Sequence, residues 1–143
     1  MKWMSSLLVI LVLSVSAQAD DWKTLEGVWI PVGMELGGQK FEVGQLKDSK
    51  LKLTKDKYEL VFQAINDKGD IKLDSTMKPK QMDITSREGT VKENKDKTLL
   101  AIYEVNGDYL RVCYALEGTT RPTEFKTTKD NGFFLAEYKR EKK

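Results

Sequence analysis

Histidine is absent from the 143-residue chain. Its absence removes Ser-His-Asp and Cys-His nucleophilic catalysis, and every metal site built on imidazole. Cysteine occurs once, at Cys113, so no disulfide can close within the chain. Charge of one sign is missing too. The 24 lysines and arginines are interspersed with 22 aspartates and glutamates, without the clustered basic face that nucleic acid requires. Calcium-loop spacing is also lacking: Asp67, Asp70 and Asp74 have neither EF-hand intervals nor a glutamate at the twelfth position, and they read as turn residues. These absences lead to the expectation of a non-enzymatic protein that uses no metal or cofactor and does not bind nucleic acid.

A long apolar run is present at the N-terminus. Lys2 gives a thin positive region, "LLVILVLSV" (Leu7–Val15) follows, and Ala17-Gln18-Ala19 supplies an A-x-A cleavage signal. Residues 1–19 therefore read as a signal peptide, and residues 20–143 as one exported domain in the periplasm, cell envelope or extracellular space. The run is shorter than the roughly 20 residues of a membrane span, and no cysteine follows it to accept a lipid. A domain of this length buries about two-thirds of its unfolded surface and can be stable without a disulfide or metal. It is expected to be a monomer with no stable membrane span after cleavage.

Beyond the leader, short alternating runs dominate. Strands are expected at Val28–Leu36, Lys50–Thr54, Lys57–Gln63, Asp70–Asp74, Lys80–Thr85, Thr98–Val105, Asp108–Ala115 and Gly132–Arg140. Asn66–Gly69 reads as a turn, Trp22–Glu26 and Val43–Leu46 as short helical turns, and Arg87–Lys97 as a polar loop. Eight short strands with turn signals between them indicate an all-β sandwich or barrel. Asn106-Gly107 suits a two-residue type I′ hairpin. In that register Tyr103 opposes Leu110, Ala101 opposes Val112, and Ile102 opposes Arg111, leaving Glu104 and Arg111 as diagonal neighbours. Both hairpin faces carry apolar residues, so the pattern leaves open which one points inward.

Two stretches carry a family resemblance. "WKTLEGVWIPV" (Trp22–Val32) resembles the G-x-W opening of lipocalins, whose glycine opens the first strand and whose tryptophan closes one end of the barrel. "KTLLAIYEVNGDYLRVCYALEGTTRPTEF" (Lys97–Phe125) is similar to the C-terminal half of a family of small secreted proteins abundant in planctomycetes. The match falls on Ile102, Tyr103, Glu104, Gly107, Asp108, Leu110, Arg111, Cys113, Ala115, Arg121, Pro122 and Phe125. "KLKLTKDKYEL" and "DSTMKPKQMDIT" resemble the family's middle. Ala101 replaces a common glycine, and Glu117 lies in a loop often richer in proline. The resemblance implies an eight-stranded antiparallel up-and-down lipocalin-like barrel, with Arg140 packing over Trp29. It implies no activity.

The candidate residues divide into two groups. Gly27, Trp29, Cys113, Pro122, Phe125 and Arg140 are expected to be structural. Cys113 lies mid-strand, without a histidine to activate it, and free cysteine is among the most buried residue types. Arg111 and Glu104 read first as an internal salt bridge closing one end of the barrel, and second, with Tyr103 and Arg121, as a ligand site. Arg121, held extended by Pro122, is expected to anchor its loop to a carboxylate such as Glu124 or Glu104. The aromatic set Trp29, Tyr58, Phe62, Tyr103, Phe133 and Phe134 reads first as core. An eight-stranded barrel is filled by side chains or holds one small ligand. The leading functional expectation is thus a carrier or sensor for a small hydrophobic or amphiphilic molecule. The competing one is a protein-interaction module of the cell envelope, an inhibitor or assembly factor, using the loops Arg87–Lys97 and Leu116–Thr123.

Overall fold

The computed structural model describes residues 21–117 and 120–142. The expected signal peptide lies outside the described residues. A short helix, α1 (Asp21–Leu25), leads into β1 (Gly27–Leu36). A two-residue strand, β2 (Gln39–Lys40), and a 3-10 turn at Val43–Leu46 follow. Next come β3 (Lys50–Thr54), β4 (Lys57–Phe62), β5 (Ile65–Asp74), β6 (Lys80–Gly89), β7 (Thr98–Asn106), β8 (Tyr109–Ala115) and β9 (Phe133–Arg140). Each strand pairs antiparallel with the next, β1 with β3 and so on, and β9 returns to β1 through Trp29↔Arg140 to Leu36↔Phe134. Eight strands therefore close an up-and-down barrel, the architecture expected from the sequence, and β2 hangs on the end of β1.

Alternation sets the wall. In β3, Leu51 and Leu53 turn inward while Lys50, Lys52 and Thr54 stay in solvent. In β6 the inward row is Met82, Ile84 and Ser86. One end of the barrel is closed. Leu25 and Trp29 are fully buried there, and the Trp29 indole N–H donates to the Leu25 carbonyl at 2.8 Å. Asp21 of α1 accepts from the Tyr103 hydroxyl at 2.5 Å and from the Lys80 ammonium at 3.0 Å, which pins the helix across the barrel. Gly27 has φ +138°, a left-handed value suited to glycine, and an added Cβ would lie 2.9 Å from the Arg140 guanidinium.

The β7–β8 turn differs from the expected one. Gly107 and Asp108 form the two-residue loop, so Asn106 pairs with Tyr109. Gly107 takes φ +60° at the first loop position, and Asp108 is not among the positive-φ residues. This is the glycine placement of a type II′ turn rather than type I′. Each residue keeps its expected face, but its partner moves by two, and Glu104 lies directly opposite Arg111.

β5 is a larger correction. Asn66–Gly69, expected as a turn, lies inside this strand, and the chain reverses earlier, with Gln63 at φ 55°. Gly69 serves close approach rather than turning: a Cβ there would sit 1.9 Å from the Thr85 carbonyl oxygen, beside a bulge in the β5–β6 ladder. Asp67 and Asp70 are therefore strand residues. The expected loop at Arg87–Lys97 is also shorter, because β6 continues through Gly89 and Lys92–Asn94 forms a 3-10 turn.

Candidate functional site

The open end of the barrel leads into a cavity of about 350 Å³. Apolar side chains from all eight barrel strands line it, among them Leu51, Leu53, Ile71, Met82, Ile84 and Val112. Phe41 packs against Phe62 at 6.1 Å between ring centroids and edge-on against Phe134 at 5.8 Å, and Phe134 lies 6.0 Å from Tyr114. These rings extend across the mouth. Around them Leu36, Ile65 and Leu116 are 39%, 41% and 43% exposed, an apolar rim facing solvent.

Polar groups inside are few. Tyr58 donates its hydroxyl to Asp67 Oδ2 at 2.7 Å, and Ser86 donates to Asp67 Oδ1 at 2.5 Å. This triad joins β4, β5 and β6 on their inner faces. Burial, followed by the hydrogen bond to Asp67, pushes the Tyr58 phenol well above its ordinary pKa, so it remains a proton donor. Tyr114 and Tyr138 interact through their hydroxyls. Burial raises both phenols, Tyr138 to about 12. Asp67 is the one formally charged residue among the described residues lining the cavity.

The four residues expected to contact a ligand are not brought together here. Glu104 and Arg111 lie on the outer face of the barrel, with Arg111 Nη2 to Glu104 Oε2 at 3.1 Å, and the pair neither enters the interior nor closes an end. The arginine stacks over the Phe125 ring at 3.9 Å. Tyr103 does point inward, but at the closed end on Asp21. Arg121 lies outside, where it donates to the Ala101 carbonyl at 2.8 Å, the Met82 carbonyl at 3.3 Å and the Asp83 carboxylate at 2.5 Å. Its carboxylate partner is thus Asp83 rather than Glu124 or Glu104.

The long connection from β8 to β9 explains the two apolar hairpin faces. From Arg121 onward it runs across the outside of the wall. Pro122 is buried, Phe125 and Phe133 cover Ile102, Cys113 and Leu135, and Thr127 bonds Glu35 and the Gly38 amide of the first hairpin. Cys113 is fully buried under this strap, and desolvation raises its thiol pKa. Arg140 packs over Trp29 at 4.2 Å and binds the Glu26 carbonyl at 2.6 Å, the Thr24 carbonyl and Asp108.

Of the aromatic set, Tyr58, Phe62 and Phe134 line the cavity, while Trp29 and Tyr103 fill the closed end. The residues missing from the expected site are Asp67, Ser86, Tyr114, Tyr138 and Phe41. The signal for Asp67 was present as alternation: Ile65, Asp67, Gly69, Ile71 and Leu73 share one strand face once Asn66–Gly69 is taken as extended. No protein-family model, curated protein or solved structure matches the chain.

Proposed function

We propose that this protein is an exported, non-catalytic, lipocalin-like carrier of one small, partly apolar molecule held inside the barrel. The observation that carries the reading is the 350 Å³ cavity, which has aliphatic walls, a few convergent polar atoms and an apolar rim at its open end. Pockets of roughly 300–1,000 Å³ with that lining suit small molecules. Each buried methylene contributes about 0.8 kcal/mol, so an eight-carbon chain contributes about 6 kcal/mol, which corresponds to an affinity on the order of tens of micromolar. The chemistry of the site also favours binding over catalysis: its phenols are held protonated, and Asp67 is the one carboxylate among the described residues lining the cavity.

The interaction-module reading needs loop groups free to meet a partner. Arg87 is occupied by Asp70 and Asp96, and Arg121 by the protein's own wall. Those engagements favour the carrier.

Leu99, which lines the cavity from β7, gives a direct test. Leu99→Trp should fill the space, weaken 1-octanol binding by at least tenfold in calorimetry, and leave the melting temperature unchanged or higher. A native protein that binds no apolar probe, and carries no small molecule by native mass spectrometry, would refute the carrier reading.

A further inference from the structure

The cavity contains a carboxylate, Asp67, that no lysine or arginine among the described residues neutralises. Asp67 lies one inward position from Ile65 at the rim, so its charge sits just inside the mouth, above the aliphatic interior. Tyr58 holds Oδ2 and Ser86 holds Oδ1, which fixes the plane of the carboxylate. An ionised carboxylate has about four acceptor positions, and donors among the described residues use two.

The nearby cations are engaged elsewhere. Lys68 follows Asp67 on the opposite face of β5 and meets Glu88 at 3.4 Å. Lys57 and Arg87 both bind Asp70 on the outer wall. No lysine or arginine is among the described residues lining the cavity.

Resting on the carrier reading, we propose that the ligand is a primary or secondary amine with an apolar body, and that Asp67 binds its ammonium group. The two remaining acceptor positions receive N–H donors at the mouth, where the head group retains part of its hydration. The apolar body extends toward Ile84, Leu110 and Val112, which line the deeper wall. An anionic ligand would meet Asp67 with like charge and find no cation in the lining. A neutral apolar ligand would cover the carboxylate and leave its free positions unpaired, which is costly in an apolar setting.

Calorimetry with octylammonium, 1-octanol and octanoate separates these cases in the unmodified protein. Octylammonium should bind at least tenfold more tightly than 1-octanol, and octanoate most weakly. Asp67→Asn keeps the size of the side chain and an acceptor for Tyr58. It should bring octylammonium to within about threefold of 1-octanol, by weakening the amine and leaving 1-octanol unchanged or tighter. If octanol or octanoate binds the native protein as well as the amine does, the assignment to Asp67 falls and the carrier reading stands. If none of the three binds, both fall. The head-group order in the native protein decides the matter even if Asp67→Asn fails to fold.

Discussion

Arg140 joins three parts of the closed end: the Thr24 and Glu26 carbonyls at the end of α1, the face of Trp29 and the β7–β8 turn at Asp108. The planar guanidinium stacks and donates at once, which an ammonium cannot do. Hydrogen bonds from a charged donor contribute about 1.5–3 kcal/mol and a cation–π contact about 0.5–2 kcal/mol, not additively. Arg140→Ala should therefore lower stability by about 2–3 kcal/mol, and Arg140→Lys by roughly half as much, in urea unfolding followed by tryptophan fluorescence. An unchanged midpoint for Arg140→Ala would show that Trp29 and α1 hold without it. Arg111 has a more modest place. Its side chain is 32% exposed, its Nε has no hydrogen-bond partner among the described residues, and it meets the partly exposed Glu104 carboxylate and the Phe125 ring.

At the scale of elements, β5 and β6 form the part of the wall that places Asp67 and Ser86 beside the cavity. β5 is extended through a segment rich in turn residues because Gly69 lets β6 approach at the bulge. Gly69→Ala would place a methyl group 1.9 Å from the Thr85 carbonyl oxygen. That forces the strands apart and should cost at least about 2 kcal/mol. Gly44→Ala, with nothing within 4 Å of the added carbon, is the matched control and should be near neutral. Equal urea midpoints for the two variants would argue against the close approach. The strap from Arg121 to Thr127 is the other long-range element. By covering Ile102, Cys113 and Leu135 it turns part of the outer wall into a second, smaller core.

Across the whole molecule, the buried tyrosines couple the barrel to alkaline pH. Burial raises Tyr58, Tyr103, Tyr114 and Tyr138, with Tyr138 at about 12 against an ordinary value of 10.0. Above pH 10 the unfolded chain releases phenol protons that the folded chain retains. The folded state then binds more protons, and raising the pH favours unfolding. Stability should be at its full value below pH 10 and fall progressively through pH 12. Phenolate absorbance should appear together with loss of far-ultraviolet dichroism. Phenolates forming near pH 10 with the barrel intact would mean that water reaches the interior freely.

Much of the architecture was legible from neighbouring residues alone. The alternation in Lys50–Thr54 and Lys80–Thr85, with the turn residues between strands, indicates short antiparallel strands and an all-β sandwich or barrel, because a strand's two faces repeat every two residues. The same locality limited the reading. Asn66–Gly69 has turn composition, and only its ladders to β4 and β6 make it a strand. Whether Arg111 faces ligand or solvent depended on a strap that begins after β8 and crosses the outer wall. The cavity is further removed from any local pattern: Asp67, Tyr58 and Ser86 meet because three strands align in register around a closed ring. Faces and turns arise from short-range stereochemistry, whereas the inside of a barrel exists only after its first and last strands have paired.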